Sequence, residues 1–249
     1  MWRNWFSAAV LSSLLGAFLM VAAPAIALLV RPVVIELDAT GGGSSSSLEV
    51  VNDRNVAMTV EVKVSDLSLP EKGAPVLTAS DGKDFLIFPT IAKVQPGGRQ
   101  VFRVRYIGDP RLAKSKLFMF STSELPLEND KTEKQAQLQV LYSINSVVAV
   151  RPSKATADIR VVDAKRATND KGEAGLELTF TNDGAAHGFI GMANMSLQAG
   201  AWSKNLDRNE MGKAFGLGLI PAQSRRIMFV ALADLPASGS IDATVKPGA

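Results

Sequence analysis

Short runs of alternating apolar and polar residues recur along the chain about ten residues apart, each closed by Gly, Pro, Asn or Asp. The 3.6-residue period is weak throughout, so the chain is expected to be all-β with few helices. Residues 29–37 read as a first strand, with Pro32 marking an edge or a switch between sheets. Residues 48–52 and 57–67 alternate well and, joined by Asn-Asp-Arg-Asn, read as a hairpin. Residues 70–83 read as polar turn. Two short runs flank Pro89, a Gln95-Pro96-Gly97-Gly98 turn follows, and 99–106, 117–123 and 137–152 complete about seven strands, which fits an immunoglobulin-like sandwich. After Pro152 the pattern restarts at 157–162, 175–182, 188–197, 224–232 and 240–245. Two sandwiches in tandem are expected, 28–150 and a smaller one over 151–249.

The run 137–152 is the longest, and ends in Arg151-Pro152. Leu138, Val140, Tyr142, Ile144, Val148 and Val150 share one parity and so one face of an extended chain. That row has two readings. It fills its own core, as in a central strand, or it lies at a sheet edge and is kept for another protein.

The N-terminus sets the compartment. A short basic start, an uncharged run over 6–23 and an Ala25-Ile26-Ala27 cleavage pattern read as a secretory signal peptide over 1–27, removed after Ala27. The alternative is an uncleaved anchor, since the apolar run is nearly long enough to span a bilayer. Cleavage leaves no stable membrane anchor. Beyond the leader the charge is only weakly positive and scattered, which argues against nucleic acid.

No chemistry rises from the residues. Cysteine is absent, which excludes thiol catalysis, disulfides and Cys-type zinc sites. His187 is the single histidine, in a Gly-Ala-Ala-His-Gly turn, without partners for a triad or a metal site. Phe215-Gly-Leu-Gly-Leu lacks a dinucleotide fingerprint, and Gly41–Ser47 (Gly-Gly-Gly-Ser-Ser-Ser-Ser) reads as a flexible turn, with no Lys-Ser/Thr of a phosphate loop. No catalytic residue, metal or cofactor is expected.

Three stretches together resemble the periplasmic pilus chaperones of the PapD type. They are Phe85-Leu-Ile-Phe-Pro through Pro-Gly-Gly to Val-Phe-Arg-Val, Lys116-Leu-Phe-Met-Phe followed by Glu124-Leu-Pro, and the strand ending in Arg151-Pro152. The resemblance implies a non-enzymatic chaperone. It would lend its 137–150 strand to a secreted pilus or fibre subunit that lacks one, and deliver that subunit to an outer-membrane usher. Leu138, Val140, Tyr142 and Ile144 would be the inserting row, burying roughly 6–12 kcal/mol gross at about 1.5–3 each. The family's two basic anchors for the subunit's carboxylate fall on Val34 and Val147, neither of which binds an anion; Arg31 is the candidate substitute. Arg151 matches a family arginine that ties the domains together, with Asp242 as candidate partner and Ser115 where a family acid would stand. The short loop over 124–134 resembles that of chaperones serving rod-forming pili. The reading from a different class is a free-standing periplasmic structural or adhesive sandwich, which needs Val140 and Tyr142 inside its own core.

Overall fold

The computed structural model describes residues 28–126 and 140–246. The signal-peptide reading with Ala25 and Ala27, most of the 124–134 loop, and Leu138 at the start of the lending strand lie outside the described residues. The first part of the chain forms β1 (Leu28–Arg31), β2 (Val34–Asp38), β3 (Ser45–Asn52), β4 (Met58–Ser68), β5 (Val76–Ala79), β6 (Phe85–Phe88), β7 (Ile91–Val94), β8 (Arg99–Tyr106), β9 (Lys116–Leu125) and β10 (Ser143–Arg151). They make two facing sheets, β1-β3-β8-β6 and β2-β10-β9-β4-β5, with β7 also on β4. The first strand is broken at Pro32. β1 borders one sheet and β2 the other, so the proline marks both a switch and two edges.

Alternation accounts for the core. Val60 and Val62 of β4, Phe102 and Val104 of β8, Phe118 and Phe120 of β9, and Val148 and Val150 of β10 point inward and are buried. Phe85 meets Tyr106, Phe118 and Phe120 edge to face, with centroids 5.5, 4.8 and 5.0 Å apart.

Three local expectations are corrected. The 48–52 and 57–67 runs do not form a hairpin, because β3 and β4 lie in opposite sheets. Their crossing is held by Asn52, fully buried, whose amide donates to the carbonyls of Val56, Val94 and Gln95 and whose Oδ1 accepts from the Arg54 N–H. Ser45 to Ser47 are strand rather than turn, paired with Arg105 to Arg103. β5 arises inside the stretch read as polar turn. All four of its residues are exposed, so no burial alternation signals it; only its pairing with the end of β4 creates it.

The second part forms β11 (Ile159–Thr168), β12 (Ala174–Asn182), β13 (Gly188–Phe189), β14 (Asn194–Ala199), β15 (Trp202–Leu206), α1 (Arg208–Phe215), β16 (Leu219–Ile220), β17 (Ser224–Ala231) and β18 (Asp242–Lys246). Sheets β11-β12-β17 and β15-β14-β18 and the pair β13-β16 enclose Leu176, Leu178, Phe180, Met195, Leu197, Met211 and Ile220. Asn182 repeats the role of Asn52. It is fully buried, donates to the carbonyls of Ala186, Ile220 and Pro221, and accepts from the N–H groups of Asp158 and Gly184. Each sandwich thus closes a strand-to-loop exit with an Asn-Asp pair. The α-helix is nucleated by a capping box between Asp207 and Glu210 and ends at Gly216, whose φ is 60°.

Candidate functional site

The inward row of β10 runs out of the core. Val150 and Val148 are fully buried, and Ile144 packs partly against the core of its own sandwich. Beyond it Tyr142 is 41% and Val140 56% exposed. Residues 140–142, expected as strand, lie just outside β10, and of these Tyr142 stays in line with the sandwich. Ile144 lies opposite Thr122, which lies opposite Val62, and the next layer aligns Glu124 with Val60. The Glu124 N–H donates to the Tyr142 carbonyl at 2.8 Å, which carries the ladder one residue beyond β10. Glu124 itself points inward, and its side chain is only 5% exposed. Arg54 Nη1 donates to both its oxygens at 2.7 and 2.8 Å, and the guanidinium carbon sits 6.0 Å from the centre of the Tyr142 ring.

The same strand has an uncovered edge. β9 pairs with β10 from Ser143 to Val150, whereas β2 pairs in parallel only from Val147 to Arg151. The Val147 N–H donates to the Val33 carbonyl, so odd-numbered residues turn their main-chain groups to the β2 side. At Ser143 and Asn145 that side carries no paired strand among the described residues. The outer face here is polar: Ser121 bonds Asn145 at 2.8 Å and Ser123 bonds Ser143 at 2.9 Å.

Val34 and Val147 are direct cross-strand partners, so the two positions expected to hold an anion do lie side by side. Both are apolar, and Val147 packs against a cluster of Leu67, Leu117, Ala149 and Leu219. Arg31, the candidate substitute, belongs to β1 in the other sheet, where its Nε donates to Glu49 at 2.6 Å.

Residues 25–156, more than half of the chain, match the family model for pili and flagellar-assembly chaperones, PapD N-terminal domain. The chain belongs to this chaperone family. No curated protein matches it. Among solved structures it is similar to the class 5 fimbriae chaperone CfaA, at 12% identity and a TM-score of 0.53, over 88% of this chain and 100% of that one. It is also similar to the E. coli chaperone DraB, at 17% identity and a TM-score of 0.51, over 90% and 97% of the two chains. A third likeness is to a chain of the chaperone–tip adhesin complex of CFA/I fimbriae biogenesis, at 10% identity and a TM-score of 0.52, over 90% and 100%. At these identities the likeness is one of fold.

The two sandwiches of the chaperone meet along a seam that the sequence does not announce. Arg151 pairs within the first sandwich. The β2–β10 register places Arg151 opposite Asp38, to which its Nε donates at 3.0 Å, while Asp242 is engaged in the β18–β14 pair. The seam instead centres on His187, whose side chain is wholly buried. Its N–H donates to Ser115 Oγ at 3.1 Å, its Nδ1 lies 3.1 Å from the same oxygen, and its Nε2 lies 3.1 Å from Glu36 Oε1. A carboxylate only accepts, so Nε2–H donates to Glu36. The Ser115 N–H donates to the Ala185 carbonyl at 2.9 Å. Leu67, Leu117 and Ala149 pack with Leu219 and Phe189, and Arg226 donates to the Pro70 carbonyl. The turn that holds His187 gave no sign of this role, because its partners lie 72 and 151 residues away.

The Glu36 side of the seam is expected to weaken in acid. The hydrogen bond from His187, opposed by burial and helped by the charges of His187 and Arg151, holds the Glu36 carboxyl below its ordinary 4.5. A lowered folded pKa contributes stability that is present above the ordinary value and is lost as the pH falls through the folded one. Thermal melts taken from pH 7 to pH 3 are expected to show a smaller acid-dependent loss of Tm in Glu36→Gln than in the natural protein. Equal losses would remove Glu36 from the seam's titration.

Proposed function

We propose that this protein is a non-enzymatic periplasmic chaperone that holds a secreted pilus or fibre subunit lacking one strand and passes it to an outer-membrane usher. The first unit, 28–150, carries the binding and the second, 151–249, braces it through the His187 seam. The single observation behind the reading is the chain leading into β10, apolar and exposed at Val140 and Tyr142. The edge at Ser143 and Asn145 supplies main-chain donors and acceptors to a subunit strand, while Leu138, Val140, Tyr142 and Ile144 fill that subunit's groove. The free-standing alternative needs Val140 and Tyr142 inside the sandwich, and their exposure speaks against it. The chaperone–tip adhesin complex among the similar structures supports a subunit as the partner. With Val34 and Val147 in place of the anchoring cations, main-chain pairing and apolar insertion carry the hold rather than a carboxylate clamp.

Affinity purification of the tagged protein from its own periplasm tests this. A small secreted partner is expected in equal amount, identified by mass. A partner-free monomer under co-expression with candidate subunits would favour the free-standing reading.

A further inference from the structure

The inner row of β9 changes character where the lending row leaves the sandwich. From Phe118 and Phe120 it passes to Thr122 and Glu124, both buried, beneath Ile144 and Tyr142. The Thr122 hydroxyl has no hydrogen-bond partner among the described residues. The buried Glu124 carboxylate is bound by Arg54 through both its oxygens. A sandwich that kept its last strand for itself would do better with apolar residues here. An unpartnered buried hydroxyl opposes folding, and exchanging a buried ion pair for apolar groups of similar volume is often neutral or stabilising. The polar floor is therefore set against the stability of the free protein, at the one place where an apolar row has to stay available.

We propose that Thr122, Glu124 and Arg54 are positioning residues that keep the lending row out of the chaperone's own core. The inference rests on the strand-lending reading. Tyr142 continues the inward face one residue beyond β10, with Val140 just before it, and over an apolar floor the two would fold across the open end of the core and be hidden from a subunit. Over the polar floor, the Arg54 guanidinium carbon lies over the Tyr142 ring, 6.0 Å from its centre, in a contact weak enough to give up. The Glu124 N–H holds the Tyr142 carbonyl, so the backbone keeps its register while the side chain stays outside.

The test uses the free protein and its two tyrosines, Tyr106 and Tyr142. Labelled with 3-fluorotyrosine, the natural protein is expected to give one signal accessible to a soluble paramagnetic chelate, Tyr142, and one shielded signal, Tyr106, which is 3% exposed. In Arg54→Met/Glu124→Leu the Tyr142 signal is expected to become as shielded as that of Tyr106, with Tm equal or higher. A merely structural ion pair would give the opposite, a lower Tm and an unchanged Tyr142. Glu124→Leu alone, which leaves Arg54 free to turn to solvent, is the second variant. Tyr142 remaining accessible in a folded variant overturns the proposal. Unfolding of both variants overturns it too, since the pair would then be part of what holds the sandwich together. No subunit enters the measurement, so its failure is distinct from failure of the strand-lending reading, which is decided on the partner.

Discussion

Val140→Asp combined with Tyr142→Asp is expected to abolish capture of the subunit while leaving the chaperone folded. Each side chain contributes about 1.5–3 kcal/mol when buried in a partner's groove. Losing both removes about 3–6 kcal/mol, or roughly a hundred- to ten-thousandfold in affinity. Placing carboxylates in an apolar groove adds to the loss. In the free protein both residues are exposed and Tyr142 gives up only its contact with Arg54, so the same change is expected to cost about 1 kcal/mol of folding stability or less. Co-purification and a urea melt of the same double variant check the two halves. A variant that unfolds would return the row to the protein's own core.

Phe120→Ala is expected to do the reverse. Phe120 is fully buried on the same inward face, two residues before Thr122, and meets Phe85 edge to face with centroids 5.0 Å apart. Truncating such a ring leaves a cavity and costs about 3–5 kcal/mol, a large part of the roughly 5–15 kcal/mol that holds a domain folded. The urea midpoint should fall accordingly, and any loss of subunit should follow the loss of fold. A shift below about 1 kcal/mol would mean that the aromatic cluster does not anchor the first sandwich.

The fold was legible because it is written in period two. The alternation of Val60 and Val62, of Phe102 and Val104, and of Val148 and Val150 survives intact in the buried rows. Pro32 was legible as a break, and the parity of the run set Tyr142 in line with Val148 and Val150, whereas the strand itself begins only at Ser143. Pairing partners were not legible. Asn-Asp-Arg-Asn looks like a hairpin joint until Asn52 is seen to tie together the ends of two sheets. Arg151 finds Asp38 rather than Asp242 because a parallel register, invisible in one sequence, sets them opposite. The α1 helix carried a local sign in Asp207-x-x-Glu210 and Gly216, but it spans only Arg208–Phe215, too short for a periodic pattern to stand out. His187 and the Arg54–Glu124 pair had no sign at all, since each depends on residues distant in sequence.

The most direct test of strand lending uses the chain's lack of cysteine. Val140→Cys introduces a single thiol on the exposed end of the row, and Lys171→Cys places one on the exposed turn between β11 and β12. Both thiols are expected to react quickly with a maleimide in the free chaperone. In the purified complex with its subunit the thiol at position 140 should be protected, and the one at 171 should react as before. Equal reactivity at position 140 with and without the subunit would contradict the account, as would protection in the free protein.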